Sequence, residues 1–285
     1  MEISVIIPVY KDWARLAICL MCLQNQSIRS EDWEIVIVNN APDDSPPSNF
    51  LIPDNAILID QAKAGSYAAR NTGILHSKGE VLAFLDSDCI PDSDWLLNAS
   101  KLLDQEVELV GGKMEFFKEK EGSELVFQFE KAFSFDQKGN VANGQSITAN
   151  LFVKRNVFDE VGFFPESFLS GGDFFWTNKA SKHFKLVYGK DVVVRHPARL
   201  SISSLKKKKK RTAGGMYLRE FQSLSFLQSF IFVVKQLRPP LTIFLLNRYS
   251  MALRVRFFFL KWYLEWIGIQ EMMRVKFANQ KMERN

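Results

Sequence analysis

Asp86 and Asp88 stand one residue apart at the end of the apolar run Val81-Leu82-Ala83-Phe84-Leu85. Core packing asks for no acid there, whereas a divalent cation carrying a diphosphate does, because a hard cation prefers carboxylate and phosphate oxygens. A run apolar at every position reads as a strand buried on both faces. In open α/β sheets, ligands sit beyond the carboxyl ends of such strands. Two further segments suit the same chemistry. Lys63-Ala64-Gly65-Ser66-Tyr67-Ala68-Ala69-Arg70-Asn71 joins a flexible glycine, a cation and an amide at a helix start, a favourable place for anions. Ser170-Gly171-Gly172-Asp173 delivers a single carboxylate at another helix start, where Asp173 could equally act as an N-cap.

The chain that carries these residues alternates strand and helix. Ile3–Val9 reads as a strand, Asp12 as the cap of a helix running to about Gln26, and Glu34–Val38 as a second strand ending in Asn39-Asn40. A loop at 41–47, a strand at Ala56–Ile59 and a helix at Gly65–His76 precede the Asp86/Asp88 strand. A helix of about twelve residues is expected from near Asp92. Strands follow at Val110–Phe117, Ile147–Val153 and Lys185–Val194, with helices at Ser123–Phe133 and from about Asp173. This alternation predicts an α/β fold with a right-handed, mostly parallel sheet and flanking helices. In that frame Pro8, Val9 and Tyr10 could give backbone and ring contacts to a nucleotide base. Asn39 could offer a base edge both its donor and its acceptor.

Charge divides the chain. The net formal charge is +5, yet residues 195–285 hold 19 Lys and Arg against 4 Asp and Glu, leaving the first 194 net acidic. A catalytic body at 1–198 and a basic, aromatic helical tail at 199–285 are expected, the tail facing something anionic. Within the tail, Lys206–Arg211 is a run of six cations, each contributing roughly 1 kcal/mol near anionic lipid. Arg254, Arg256 and Lys261 stand among Phe257, Phe258, Phe259, Trp262 and Trp266, the pattern of an interfacial helix. No stretch supplies the ~20 uninterrupted apolar residues of a spanning helix. An ordinary helical layer is the other reading. Three cysteines give no disulfide framework, and Cys19-x-x-Cys22 falls within a helical pattern, so it reads as packing. With no signal peptide in the opening residues, the expected location is cytoplasmic, peripheral at the membrane face.

Taken in order, VIIPVY, the strand ending in NN, AGSYAARNTGI, FLDSDCIPDSDWL, ITANLFVKRNVFDEVGFFPE and SGGDFFWTNKA give residues 1–200 a resemblance to the family-2 inverting glycosyltransferases of the GT-A fold. The resemblance implies that Asp86-Ser87-Asp88 is the D-x-D motif, with Asp86 on the ribose and Asp88 ligating Mn²⁺ or Mg²⁺. It implies Asp173 as catalytic base, His196 as a further metal ligand, and Arg70 assisting at the diphosphate. The donor would be a nucleotide sugar, most simply a UDP-sugar, and the acceptor a hydroxyl of a lipid-linked or membrane-held glycan. Family members commonly place Glu before the catalytic Asp, where this chain has Gly172, and Asp where it has Asn39 or Asn40. The Gln-x-x-Arg-Trp motif of processive synthases is absent, which implies transfer of one sugar. Two other readings stand beside this one. A sugar-phosphate nucleotidyltransferase would carry a glycine-rich loop after the first strand, where the chain reads Pro8-Val9-Tyr10-Lys11-Asp12. A nucleic-acid-binding protein would use Lys206–Arg211, but the acidic body offers no reading module, so no nucleic-acid partner is expected.

Overall fold

The computed structural model describes residues 2–104, 106–168 and 170–278. In chain order the strands and helices are β1 (Ile3–Val9), α1 (Trp13–Leu23), β2 (Trp33–Asn39), β3 (Ala56–Asp60), α2 (Ser66–His76), β4 (Val81–Leu85), β5 (Ile90–Pro91), α3 (Trp95–Leu103), β6 (Leu109–Phe117), α4 (Glu124–Phe133), α5 (Gln137–Ala142), β7 (Asn150–Lys154), α6 (Asn156–Val161), α7 (Gly172–Ala180), β8 (Leu186–Pro197), α8 (Ile202–Met216), α9 (Phe226–Gln236) and α10 (Met251–Ala278). They fall into two compact units. The first comprises Met1–Phe117, Phe135–Ser167 and Gly172–Pro197; the second comprises Lys118–Ser134, Phe168–Gly171 and Ala198–Asn285. The second unit therefore takes α4 from the middle of the chain in addition to the basic tail.

The first unit is built on an eight-stranded sheet of order β3-β2-β1-β4-β7-β6-β8-β5. Its amino-terminal half, β3-β2-β1-β4, is all parallel; β7 then enters antiparallel to both β4 and β6, and β6 pairs parallel with β8. The sheet is thus mixed, with a parallel half and an antiparallel insertion. The directions put the carboxyl ends of β1, β2, β4, β6 and β8 on one edge, together with the start of β7. Pro8, which has no N–H to give, lies beyond the last β1–β4 pair at Ile6 and Phe84, so its place in a central strand breaks no ladder on that side.

Burial follows the apolar runs. All five residues of β4 are buried, as are six of the seven of β1. Asp12 caps α1 by accepting from the Arg15 amide, and Trp13, Leu16, Cys19, Leu20 and Leu23 form its inward stripe. Cys19 is thus a packing residue, and burial pushes its thiol pKa up. Trp95 lies wholly within the core, its indole N–H donating to Asn150 Oδ1 at 2.9 Å, so it packs and is not a sugar platform. Asn150 in turn donates to the carbonyls of Lys113 (3.0 Å) and Val192 (2.9 Å), which ties β7 to β6 and β8 beside the bulge at Gly112/Lys113. The helix expected from Asp92 starts at Trp95 after the two-residue β5, and α5 and α6 arise where no helix is expected.

In the second unit, α4 meets α8 and α10 through Phe129, Leu205, Phe257 and Leu260. The basic run of 206–211 lies inside α8, where some of its cations are taken up by acids of the same unit. Lys208 donates to Glu130 (3.2 Å) and to Ser134 (2.8 Å), and Lys209 pairs with Glu265 at 2.5 Å. Arg199 reaches the other Glu130 oxygen at 3.1 Å. Burial lowers the Lys208 pKa to about 8 despite Glu130. Of the run, Lys207 is exposed and the other five residues are half-buried. No described helix is long and apolar enough to cross a membrane.

Candidate active site

The site lies along the carboxyl edge of the sheet in the first unit. Where β4 ends, Asp86 leaves the strand and the chain turns, the Cys89 amide donating back to the Asp86 carbonyl at 3.0 Å. That turn carries Asp86, Ser87 and Asp88 half-buried at the strand tip. Asp86 pairs with the Arg70 guanidinium, which reaches it from the first turns of α2. Arg70 is itself almost wholly buried, and its Nε has no hydrogen-bond partner. A buried guanidinium with one N–H unmatched is costly unless an acceptor arrives to meet it.

His196, near the end of β8, is buried against the stacked rings of Phe116 and Phe135, meeting each at a steep angle. Its Nδ1 lies 2.8 Å from the Pro197 carbonyl oxygen. A carbonyl can only accept, so Nδ1 carries the hydrogen and Nε2 of the neutral ring is an acceptor. That Nε2 faces Asp88 Oδ2 at 3.6 Å, with Cys89 Sγ close by. Two acceptors that face each other in a water-poor place need a proton or a cation between them. Burial raises the Asp88 pKa although His196 pulls it down, which is the state of a carboxylate short of positive charge. One carboxylate oxygen and one imidazole nitrogen fit Mn²⁺ or Mg²⁺ as two ligands of six, the remainder left to phosphate and water.

Asp173 opens α7 on the same edge. Its Oδ1 accepts from the Tyr67 hydroxyl (3.0 Å) and from the Phe174 amide (3.0 Å), and among the described residues its Oδ2 takes a long 3.4 Å contact from the Thr148 amide. Burial raises its pKa above the usual carboxylate value, against the pull of Arg70 and these donors. Asp173 thus lies inside the first turn of its own helix, after Gly172, and its Oδ1 accepts from the adjacent Phe174 amide rather than from an amide two or three positions on as an N-cap would, while Oδ2 keeps room for a hydroxyl proton.

The nucleotide-side expectations divide. Val9 is buried in β1 and Tyr10 is exposed beyond it, with Lys11 in the left-handed region next to it. Asn39 is corrected: it does not have both groups available for a base. Its Nδ2 donates to the Asp44 carbonyl and to Asp60 Oδ1 (2.9 Å), and its Oδ1 accepts from the Ala41 amide at 3.0 Å. It braces the loop after β2. Asn40 does the same for the next loop: Nδ2 donates to the carbonyls of Gln61 and Lys63, both at 2.8 Å, and Oδ1 accepts from the Gly65 amide at 2.8 Å. Gly65, at φ 131°, lets the chain turn from there into α2. Tyr67 and Asn71, both within the Lys63–Asn71 segment, also take part in the site, in roles the segment alone does not show. Asn71 exchanges two hydrogen bonds with the Phe164 backbone and donates to Glu166, so it holds 164–166 beside α2.

The glycosyl transferase family 2 model matches residues 4–162, more than half of the chain. Over 219 residues the chain is 37% identical to glycosyltransferase AglE of Haloferax volcanii, covering 72% of this chain and 70% of that protein. Among solved structures, the mannosyltransferase PcManGT of Pyrobaculum calidifontis, in complex with GDP-Man and Mn²⁺, aligns with a TM-score of 0.66 at 16% identity over 98% of this chain and 88% of its own. Residues 1–349 of Staphylococcus aureus TarS, in complex with UDP-GlcNAc, align with a TM-score of 0.55 at 18% identity, over 98% and 91%. With the GT-A fold shared by these structures and the sequence family matched across the strand-and-helix body, the chain is a glycosyltransferase and belongs to glycosyl transferase family 2.

Proposed function

We propose that the protein is a metal-dependent, inverting glycosyltransferase that moves one sugar from a nucleotide donor, a UDP-sugar in the first instance, to a hydroxyl of a lipid-linked or membrane-held acceptor. The carrying observation is the facing of Asp88 Oδ2 and His196 Nε2 at 3.6 Å, beside the Arg70–Asp86 pair. Asp88 and His196 would hold the divalent ion, Asp86 would meet the ribose, and the unmatched Arg70 Nε is a donor for a phosphate oxygen. Bound there, a divalent ion supplies a Lewis-acid charge that neutralises the departing diphosphate. Asp173 Oδ2 takes the acceptor hydroxyl proton as the oxygen attacks the anomeric carbon. The bond from that carbon to the diphosphate oxygen breaks with its electron pair leaving on the phosphate. One in-line step needs one base, and burial brings the Asp173 pKa nearer to working pH than an ordinary carboxylate. Pro8, Val9, Tyr10 and Ser87 lie along the donor side of the same edge.

The second unit suits contact with the cytoplasmic face of a membrane. α9 exposes Phe226, Leu227, Phe230, Ile231 and Val234, with Lys235 and Arg238 next to them, the composition of a helix lying in the headgroup region. With Lys208 and Lys209 occupied internally, apolar insertion, rather than the basic run, supports this contact.

Calorimetry of UDP and of GDP, with Mn²⁺ and then with EDTA, tests the donor site. Metal-dependent binding that weakens at least about 10–100-fold in Asp88→Ala is expected, since losing even an outer partner of a metal site costs that much. Binding indifferent to EDTA and to the substitution overturns the role given to Asp88, and a preference for GDP replaces the UDP donor. With a donor in hand, the anomeric configuration of the product, read by proton NMR, reports inversion.

A further inference from the structure

Tyr67 lies on α2, 106 positions from Asp173 in sequence, and its ring is almost wholly buried against Phe164 and the start of α7. What admits the ring is Gly172. A Cβ built on Gly172 would stand 2.7 Å from Tyr67 Cε2 and 2.9 Å from Cζ, closer than real carbon contacts allow. The ring thus fills the space that a side chain before Asp173 would take, and its hydroxyl ends 3.0 Å from Asp173 Oδ1. With the Phe174 amide on the same oxygen, Oδ1 has two firm donors, while among the described residues Oδ2 has a long contact from Thr148. We infer that Tyr67, seated through Gly172, is the positioning residue of the base: it ties down Oδ1 so that Oδ2 alone receives the acceptor proton. The inference rests on the reading of Asp173 as the base.

The chemistry fits a neutral donor. Burial, then the charge of Asp173, holds the Tyr67 pKa well above the ordinary phenol value, so the phenol keeps its proton and can only strengthen the carboxylate form of its partner. The other groups facing Asp173 are few. Arg70, on the same face of α2, contributes a positive charge but is engaged with Asp86, and the Phe174 and Thr148 amides do not titrate. Removing the hydroxyl therefore removes a donor to the charged form and nothing else.

The test labels aspartate at Cγ with ¹³C in the full chain and follows the carboxyl resonances against pH, the Asp173 signal being identified by its loss in Asp173→Asn. In Tyr67→Phe the Asp173 midpoint should move upward by about one pH unit, the weight of one hydrogen bond to a carboxylate. In Gly172→Ala the added methyl should push the ring aside and move it in the same direction. Nucleoside diphosphate release from UDP-GlcNAc and GDP-mannose should show its acid limb moving with that midpoint, kcat falling and KM for donor holding. An unmoved midpoint in Tyr67→Phe, with thermal melting intact, overturns the inference, as does an acid limb that ignores a midpoint that has moved. Retained turnover in Asp173→Asn overturns instead the base reading beneath it, and the resonance measurement separates the two failures because it needs no substrate.

Discussion

Asp173 in the first unit and Glu130 in the second are both carboxylates withdrawn from water, and they titrate in opposite directions. At Asp173 burial raises the pKa and the pull of Arg70 and three donors does not overcome it. At Glu130 burial also pushes upward, but Lys208 and then Arg199 outweigh it and hold the carboxyl below its ordinary value. The difference lies in what each oxygen lacks. Glu130 Oε1 accepts from Ser134 (2.7 Å) and Lys208, and Oε2 from Arg199, so both oxygens are matched by charge within one unit. Asp173 has a neutral phenol, a backbone amide and a long contact, and its nearest cation is bound elsewhere. One cluster is closed and holds helices together. The other is left short of donors on one oxygen, as a group must be if it is to take a proton from a substrate.

That contrast is open to attack at several points. The greatest effect should come from Asp173→Asn, which removes the proposed proton acceptor and should lower turnover by about 10³-fold while the chain still melts cooperatively. A variant that turns over normally would make the two carboxylates alike. Next, Glu130→Ala should cost about 3 kcal/mol in urea unfolding, near the lower figure for breaking a buried pair because Lys208 and Arg199 keep some water. UDP affinity, by contrast, should be unchanged there. Smallest is the pH dependence, at most about 1.4 kcal/mol per pH unit for each group. For Asp173, whose folded pKa is raised, the stabilising share is full below the unfolded carboxyl value and is lost as pH rises through the folded one. For Glu130, whose folded pKa is depressed, it is present above the unfolded value and lost as pH falls through the folded one. Unfolding free energies taken from pH 3 to 7 should lose a falling limb in Asp173→Asn and a rising one in Glu130→Gln; identical curves would remove the distinction.

The sheet that carries the first of these carboxylates was largely legible in the sequence, and the pairing of the second was not. The apolar runs of β1, β2 and β4 announce buried parallel strands, and acids at a strand's end announce a ligand edge, because both signals are local. The same locality explains what was missed. α5 and α6 have six residues each, too few for a helical period to show, and β5 has two. The antiparallel entry of β7 is a matter of pairing, not of composition. Lys206–Arg211 was read as facing an anionic surface, because the partner of Lys208 sits 78 positions earlier, on α4. The tie from Tyr67 to Asp173, 106 positions on, is equally hidden from local reading. Asn39 was read as an amide facing a base, while it turns inward to carbonyl, carboxylate and amide groups of its own surroundings, as Asn40 does to its own loop.

That inward turn at Asn40 has a consequence for how a donor is met. One amide group grips the chain at Gln61, Lys63 and Gly65, so the segment that enters α2 is already fixed to the tip of β2. Residues ordered in advance have little conformational entropy left to lose, on a scale of roughly 1–2 kcal/mol for each residue that would otherwise have to be frozen. Recognition at this loop should therefore resemble a key entering a cut lock, with small changes in amide exchange between 61 and 65 when nucleotide binds, and Asn40→Asp, which turns two donors toward carbonyls as acceptors, should loosen the lock before it touches the key.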